Sequence, residues 1–501
     1  MEAFWSSVVH LATSPVIILV MLFSITVGII VGALPGLTAT MSIAILVGLT
    51  YNLSRELCFT VIMSVYVGAI YGGSITAILL NIPGTGSAAA TALDGYPLGV
   101  EGQASFAIGM TRTASIIGTL FGLVMLLTIA PMLAKIALLF TSVELALLAL
   151  FGVLVSGFVA AEDLKIKGWI AAFLGMLVSC IGIDQLHGYF RFSYDIQMLM
   201  AGISFVPVMI GVFGIPQVLD NLRLVLPPRI KQTGSLIPKW KDFSRYIPLT
   251  LRSGLIGTGI GIIPGAGEDI GAWMAYFAAR ATSKEKGKFG KGSTEGIIAA
   301  ETGNNSAIGG ALIPLLTLSI PGSPPAAVLL GALLLHGIRP GPMLMFEFPG
   351  FLQEMGAIMF LVAILLFVCG LMVAKFFIKA LDIPPKILMP IVAVLSVIGS
   401  YAINIRIFDV RLMIIFGIIY FFLFKLKYPV APFVLGVILG PMIDENLRRA
   451  FWVHGGLMPV LTRPVALVLF IGLILMGASQ IGWIRTFIKR KVLKGRSLRD
   501  K

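Results

Sequence analysis

The sequence contains little charge. Asp, Glu, Lys and Arg make up only 12% of its 501 residues, whereas soluble domains average about 25%. Hydrophobic residues account for 58% of the chain, and the mean hydropathy is +0.99. Apolar runs of about 17 to 25 residues, each long enough to cross the hydrocarbon core as a helix, recur from end to end. The composition therefore excludes a soluble enzyme or a soluble binding domain and indicates an integral membrane protein.

Cysteine and histidine are also scarce. Cys58, Cys180 and Cys369 stand in separate apolar runs without CxxC spacing, which argues against a disulfide framework or a metal knuckle. The four histidines are scattered, and neither HExxH nor GxSxG occurs. The stretch "GKFGKGST" has Glu285 where a phosphate-binding P-loop needs Gly, six residues before Lys291. These absences predict that the chain is not an enzyme and binds no cofactor.

The excess of positive charge is confined to three stretches. Basic residues outnumber acidic ones by seven to two in residues 220–252, five to one in 280–291 and eight to one in 485–501. Basic residues that flank apolar spans mark the cytoplasmic side of a membrane protein. We therefore expect these stretches, including the C-terminus, to lie in the cytoplasm against the lipid bilayer, and we do not interpret them as a nucleic-acid surface.

Long apolar runs, as opposed to ten-residue alternation, predict helices and exclude a β-barrel. The fold class is thus an all-α polytopic membrane protein with about 10 to 13 transmembrane helices. We divide the chain into a first membrane repeat at 1–219, a basic cytoplasmic connector at 220–252, a second membrane repeat at 253–484 and a basic cytoplasmic tail at 485–501.

Two sequence landmarks occur once in each half. "GALPGLTATM" at residue 32 matches "GIIPGAGEDI" at residue 261, an offset of 229 residues. "LLNIPGTGSAAATALDGYPLG" at residue 79 matches "LTLSIPGSPPAAVLLGALLLHGIRPG" at residue 316, and the prolines of this pair are 238 residues apart. Because the order is kept and the offset changes little, we predict an internal duplication, with two inverted structural repeats that contain broken helices.

Each landmark interrupts an apolar run with Pro-Gly, which removes a backbone donor and frees the chain from the helix. Interruptions at matching places of two halves are typical of a transporter's binding site, and a restarted helix presents backbone N–H groups that favour an anion. We predict that the four interrupted segments surround an acidic substrate. The candidate substrate-binding residues are Pro35, Gly36, Thr38, Asn81, Pro83, Gly84, Thr85, Gly86, Ser87, Gly265, Gly267, Ser319, Pro321, Gly322 and Ser323.

Two adjacent carboxylates, Glu268 and Asp269, follow the third interruption. Basic stretches at both ends of this segment predict a re-entrant hairpin with its tip at "PGAG". A helix N-terminus stabilises a carboxylate by about 0.3 to 1 kcal/mol, but membrane depth costs about 2.5 kcal/mol or more without water, a cation or a partner. Helix capping and cation or proton binding both remain open. Glu301, Asn304 and Asn305 form a second group of oxygen ligands that suits Na⁺.

A family resemblance rests on these motifs. "GALPGLTAT", "GSITAILLNIPGTGSAAATALDGYPLG", "GIIPGAGEDIGAW" and "ETGNNSAIGGALIPLLTLSIPGSPPAAVLLGALLLHGIRPGP" resemble the large membrane subunit (TctA type) of tripartite tricarboxylate transporters over nearly the whole chain. The resemblance implies a secondary transporter of the bacterial inner membrane that imports citrate or other carboxylates with Na⁺ or H⁺. It also implies a small TctB-like membrane subunit and a periplasmic TctC-like solute-binding protein as partners, and it places the turns at 84–87 and 322–323 at the substrate site.

Two other functions are compatible with the same residues. Broken helices also line the filters of channels, so an anion-selective pore is one alternative, and an assembly subunit without coupled transport is another. Saturable uptake that depends on a binding protein distinguishes a carrier from a pore. The identity of the carboxylate, the choice between Na⁺ and H⁺, and the choice between rocking and elevator movement remain open.

Overall fold

The computed structural model describes residues 2–34, 37–160, 165–184, 186–222, 224, 230, 234–377, 383–454 and 458–478. Helices make up most of this part of the chain, and its only strands are β1 (Gly182–Ile183) and β2 (Phe190–Arg191), which pair antiparallel. The predicted all-α fold class is therefore confirmed. Pro35, Gly36, part of the connector and the basic tail at 485–501 lie outside the described residues.

The helices alternate with short turns along the chain. The first eleven are α1 (Glu2–Thr13), α2 (Pro15–Ala33), α3 (Ala39–Leu49), α4 (Arg55–Leu80), α5 (Ala88–Leu98), α6 (Ala104–Ala137), α7 (Ser142–Ala160), α8 (Lys165–Ser179), α9 (Gln197–Met200), α10 (Phe205–Asn221) and α11 (Trp240–Ser244). The others are α12 (Ile247–Gly261), α13 (Gly267–Thr282), α14 (Thr294–Leu318), α15 (Pro324–Leu335), α16 (Leu344–Glu347), α17 (Phe351–Met372), α18 (Pro385–Asn404), α19 (Ile407–Lys425), α20 (Val430–His454), α21 (Met458–Thr462) and α22 (Pro464–Ala478).

Many of these helices have the length and composition of membrane spans. In the described part of the chain, eight apolar helices are long enough to cross a membrane, and five further apolar helices have 10 to 17 residues. The shorter group includes α3 and α15, each of which follows a predicted interruption. A multi-pass membrane protein with interrupted spans follows from this set of lengths.

The contacts divide the chain into two compact units. One comprises Met1–Leu138 and Ile203–Leu426, and the other comprises Leu139–Gly202 and Lys427–Lys501. Each unit takes residues from both sides of the connector, so the units do not coincide with the predicted repeats. The division into two membrane repeats stays a prediction. All candidate site residues belong to the first unit.

Within the first unit, glycines allow two helix pairs to pack backbone against backbone. A Cβ added at Gly32 of α2 would lie 2.1 Å from the carbonyl oxygen of Ala69 in α4. A Cβ added at Gly261 of α12 would lie 2.4 Å from the carbonyl oxygen of Ala307 in α14. No side chain fits at either position, which is the usual reason for small residues at membrane helix contacts.

These two contacts recur at the offsets that the landmarks predict, since Gly261 follows Gly32 by 229 residues and Ala307 follows Ala69 by 238. A second pair of contacts keeps the same offsets. A Cβ at Gly72 would lie 2.2 Å from the oxygen of Ile29, and one at Gly310 would lie 2.4 Å from the oxygen of Thr258. These are the contacts that two copies of one backbone motif would make, although the inverted relation between the copies stays a prediction.

The loop between α13 and α14 is attached to α5 by a single carboxylate. Asp94 Oδ1 accepts hydrogen bonds from four consecutive backbone N–H groups, those of residues 290 to 293, at 2.7, 3.1, 3.0 and 2.8 Å. Consecutive N–H groups that converge on one oxygen form an anion-binding nest. The hydrophilic insertion "SKEKGKFGKGS" is therefore held against the first half of the chain.

In the second unit, ionic contacts tie the β1–β2 hairpin to α20. Arg448 donates to Asp184 Oδ2 at 2.6 Å and to Oδ1 at 3.0 Å. The backbone N–H groups of Leu186 and His187 donate to Asp184 Oδ1 as well. These hydrogen bonds, above all those from Arg448, hold the pKa of Asp184 well below its usual range.

We predict an acid-sensitive contribution of Asp184 to stability. A carboxyl whose folded pKa is depressed stabilises the protein above its unfolded pKa of about 4, and this contribution is lost as the pH falls towards the lower folded pKa. Asp184→Asn should therefore lower the thermal unfolding temperature at neutral pH, and the difference from wild type should shrink below about pH 4. Asp195→Asn, in an exposed position between β2 and α9, is the control. A difference that does not change with pH would contradict the prediction.

Candidate functional site

Two long helices of the first unit end in the same unusual conformation. Both α4 and α14 stop at a residue in the left-handed region, Asn81 with φ 57° and Ser319 with φ 60°. In both cases the chain then folds back along the helix. The Gly84 N–H donates to the Gly73 carbonyl at 3.5 Å, and the Gly322 N–H donates to the Ala311 carbonyl at 3.4 Å. The predicted interruptions are confirmed at both places.

Each fold-back leads into a short helix that begins among hydroxyl groups. The hydroxyls of Thr85 and Ser87 lie 3.0 Å apart just before α5. Ser323 caps α15 by accepting a hydrogen bond from the Ala326 N–H at 3.3 Å. Helix N-termini attract negative charge because their first N–H groups have no partner within the helix. The start of α5 is therefore suited to a carboxylate group. By contrast, α15 begins with Pro324 and Pro325, which have no N–H, and its Ala326 N–H is taken by Ser323. The start of α15 thus offers the helix dipole and a hydroxyl but no free backbone N–H.

The third interruption forms the tip of a helical hairpin. Arg252 near the start of α12 donates to the Thr282 hydroxyl at the end of α13, at 2.6 Å, so the segment turns back on itself as predicted. Gly265 (φ 74°) and Gly267 (φ 54°) form the tip in the left-handed region that favours glycine. A Cβ at Gly267 would lie 2.6 Å from the Cβ of Ser323. The interruptions at Pro264 and Pro321 are therefore in direct contact.

Glu268 and Asp269 occupy the first turn of α13 and face different interruptions. Buried Glu268 accepts a hydrogen bond from the hydroxyl of Tyr66 on α4, and the same hydroxyl lies 2.8 Å from Ser323 Oγ. Asp269 lies against the interruption at Pro83. Its carboxylate accepts a hydrogen bond from the Ser87 N–H, and a Cβ added at Gly86 would lie 2.4 Å from Asp269 Oδ2.

The two carboxylates also differ in accessibility. Glu268 is only 3% exposed, whereas Asp269 and the neighbouring Gly86 both remain accessible. Neighbouring residues on a helix point about 100° apart, so one of the pair enters the protein core while the other faces an open surface. A ligand that reaches the turn at Gly86 therefore meets Asp269.

A second polar cluster is buried between α5, α6 and α14. Thr91 donates to Glu301 Oε1 at 2.6 Å, and Ser115 donates to Glu301 Oε2 at 2.9 Å. Asn305 Nδ2 donates to Asn304 Oδ1 at 2.6 Å and to the Glu301 carbonyl at 3.1 Å. All five side chains are fully buried. The cluster is built from hydroxyl, amide and carboxylate oxygens, the ligands that hard cations prefer.

Across the described residues, none of Glu268, Asp269 and Glu301 forms an ion pair with a basic side chain. Carboxylates in a membrane protein normally have a cationic partner, water or a bound ion, because an isolated charge is costly there. The arrangement leaves these groups able to bind a cation or a proton.

Some predicted site residues lie apart from this cluster or are engaged elsewhere. Thr38 caps α3 by accepting from Met41, and it also accepts a hydrogen bond from Gln217 of α10 at 3.4 Å. The Ser319 hydroxyl donates to the Pro340 carbonyl. Asn81 and Pro83 are exposed, whereas Pro321 is buried.

The sequence interpretation missed the partners of the carboxylates. Tyr66, Thr91 and Ser115 lie 186 to 210 residues away from the acids they contact. One signal was present, because Thr111, Ser115 and Thr119 follow each other at intervals of four residues. This spacing places all three on one face of α6, and Thr119 extends the cluster by donating to Asn305 Oδ1 at 3.4 Å.

Comparison with known proteins identifies relatives over most of the chain. The profile of the tripartite tricarboxylate transporter TctA family matches residues 18–435. An uncharacterised 52.8 kDa protein in the TAR-I ttuC' 3' region of Agrobacterium vitis is 36% identical over 459 residues, which cover 91% of each chain. An uncharacterised protein in the TAR-II ttuC' 3' region of the same organism is 36% identical over 211 residues, 42% of this chain and 87% of that protein. No solved structure matches. The chain therefore belongs to the tripartite tricarboxylate transporter TctA family, as a membrane subunit of a transporter.

Proposed function

We propose that the chain is the transport subunit of a secondary active carrier that imports small carboxylates, citrate or related di- and tricarboxylates, together with Na⁺ or H⁺. The observation that carries this proposal is the meeting of interrupted helices around unpaired carboxylates. Ser323 and Gly267 join the interruptions at Pro321 and Pro264, and Asp269 joins the interruption at Pro264 to the one at Pro83.

The substrate site of this proposal lies at the start of α5 and α15. The start of α5 binds one carboxylate group of the substrate through backbone N–H groups and the hydroxyls of Thr85 and Ser87. The start of α15, which begins with two prolines, contributes its helix dipole and the Ser323 hydroxyl to a second carboxylate group. Because backbone groups and hydroxyls bind the carboxylates, the site needs no basic side chain. In this proposal Pro35 and Gly36, the interruption before α3, complete the enclosure.

The coupling ion binds among the acidic groups of the same region. Asp269 is accessible beside Gly86 and accepts a hydrogen bond from the Ser87 N–H. The hydroxyls of Thr85 and Ser87 in the same turn are further oxygen ligands that suit Na⁺. Glu301, with Asn304 and Asn305, provides a second position that accepts either Na⁺ or a proton. A cation in either place lowers the cost of bringing an anionic substrate into the membrane.

In this proposal the carrier lies in the bacterial inner membrane and works with two partner proteins. A small TctB-like subunit accompanies it in the bilayer, and a periplasmic TctC-like protein delivers the substrate from outside. The family description supports this assembly, since it names a tripartite system. The basic tail and connector support a cytoplasmic C-terminus.

Counterflow tests the proposed function directly. The chain is reconstituted into proteoliposomes with its small subunit, loaded with one unlabelled carboxylate from a panel, and supplied with the labelled compound outside, with and without Na⁺ and with and without the binding protein. We expect transient uphill accumulation of label for one class of carboxylate and a dependence on Na⁺ or on a pH gradient. Flux that only equilibrates indicates a pore, and absence of flux indicates an assembly subunit; either result would refute the proposal.

A further inference from the structure

The largest fully buried side chain of the described residues is that of Arg112 on α6. Its Nη2 donates to the backbone carbonyl of Leu236 at 3.0 Å, and its guanidinium carbon lies 4.7 Å from the centre of the Phe367 ring. Its Nε and Nη1 have no hydrogen-bond partner. Among the described carboxylates, none lies within ion-pair distance of this guanidinium.

A second unpartnered donor lies beside it. Tyr71 on α4 is fully buried, and its hydroxyl has no hydrogen-bond partner. A Cβ added at Gly370 would lie 2.9 Å from Arg112 Cδ and 3.0 Å from Tyr71 Cε1, so the two side chains share the space that this glycine leaves. Arginine has no acceptor atom, and the tyrosine hydroxyl can donate as well as accept. The pair therefore has three polar groups without a hydrogen-bond partner, Arg112 Nε, Arg112 Nη1 and the Tyr71 hydroxyl, and one positive charge.

A buried ion without a counter-charge costs several kcal/mol, and one carbonyl and one aromatic ring do not neutralise it. The acidic residue Glu301 lies in the same region, because Ser115, which donates to it, follows Arg112 by about one turn of α6. Both of its carboxylate oxygens are already engaged by Thr91 and Ser115. A bound anion supplies the missing charge and accepts the free hydrogen bonds.

We infer that Arg112 and Tyr71 form a buried anion site that binds a carboxylate group, separate from the interrupted helices. The inference builds on the proposed function, since the carboxylate is that of the transported substrate. Leu236 belongs to the basic connector, which the positive-inside rule places in the cytoplasm. The site is thus a second station, on the inner side of the protein, for a carboxylate that leaves the interrupted helices.

Ligand-dependent thermal stabilisation of the purified protein, together with its small subunit, tests this site. Citrate is the main probe, with acetate, chloride and phosphate as further arms. A ligand that binds only the folded state raises its stability according to its concentration relative to Kd. We expect Arg112→Gln to raise the citrate concentration for half-maximal stabilisation by about tenfold or more, and Tyr71→Phe by about threefold. Arg112→Lys should fall between wild type and Arg112→Gln. Arg245→Gln, in an exposed position of the connector, should have no effect.

The variants separate binding from a purely structural role. Tyr71→Phe removes one hydroxyl and keeps the packing, so it decides the question even where Arg112→Gln does not fold. If citrate stabilises wild type, Tyr71→Phe and Arg112→Lys equally, the site is refuted and Arg112 only anchors Leu236. Stabilisation by chloride or phosphate without citrate would refute the carboxylate assignment. The assay needs no transport, so a wild type that binds citrate through Arg112 but shows no counterflow would count against the proposed function alone.

Discussion

Gly322→Leu should reduce carboxylate uptake below about one-tenth of the wild-type rate while the protein still inserts into the membrane. A Cβ at this position would lie 2.0 Å from the carbonyl oxygen of Gly261 and 2.7 Å from Ala311 Cα. Both are backbone atoms, so no change of rotamer relieves the clash, and overpacking of this kind costs about 1 to 3 kcal/mol or more. The interruption before α15 must then shift, and Ser323 and Gly267 lose the contact that joins two parts of the site. Uptake into proteoliposomes at matched protein amounts is the measurement.

A matched control for this substitution lies in the neighbouring helix. A Cβ added at Gly259 of α12 meets nothing within 4 Å, and the residue is exposed. Gly259→Leu therefore adds the same side chain to the same kind of membrane helix without a clash, and its uptake should stay near the wild-type rate. Wild-type uptake by Gly322→Leu would show that the interruption before α15 takes no part in transport.

Asp269→Asn should raise the cation concentration needed for half-maximal uptake by about tenfold or more. The carboxylate is accessible beside Gly86 and accepts a hydrogen bond from the Ser87 N–H. Asparagine keeps the size and one acceptor oxygen but removes the charge, and hydrogen bonds to charged groups are worth about 1.5 to 3 kcal/mol, with 1.4 kcal/mol per tenfold change in affinity. The measurement is uptake as a function of Na⁺ at fixed pH, repeated as a function of pH without Na⁺.

Two further variants make this result specific. Glu301→Gln removes the charge of the buried cluster, and comparison of the two variants tells which carboxylate the ion binds. Asp195→Asn, in an exposed loop of the other unit, controls for a general effect of lost charge. An unchanged dependence on Na⁺ and on pH in Asp269→Asn would end the coupling role of this residue.

The sequence predicted those features of the site that are set by neighbouring residues. The ends of α4 and α14, the tip between α12 and α13, and the first-turn position of Glu268 and Asp269 all follow from Pro and Gly in apolar runs. The charges on both sides of α12 and α13 were enough to predict the hairpin. Each of these features involves residues that are close together along the chain.

Features that depend on distant contacts could not be predicted. The contact of Tyr66 with Glu268 joins positions 202 residues apart, and no pattern in one sequence specifies such a pair. The complete burial of Arg112 is a result of tertiary packing, and no pattern around it in the sequence indicates it. The short helix α1 was not predicted either. It has only 12 residues and precedes the first apolar run that is long enough to span a membrane.

The nest around Asp94 has a consequence for biogenesis. The carboxylate leaves the ribosome 196 residues before the first of the N–H groups that it binds, and contacts of such sequence separation form late because the intervening chain must first be ordered. Until the loop at 290 to 293 is synthesised, Asp94 on α5 lacks the four backbone donors that it binds in the folded protein. We therefore expect that the first half of the protein cannot complete its folding until the second half has been inserted into the membrane.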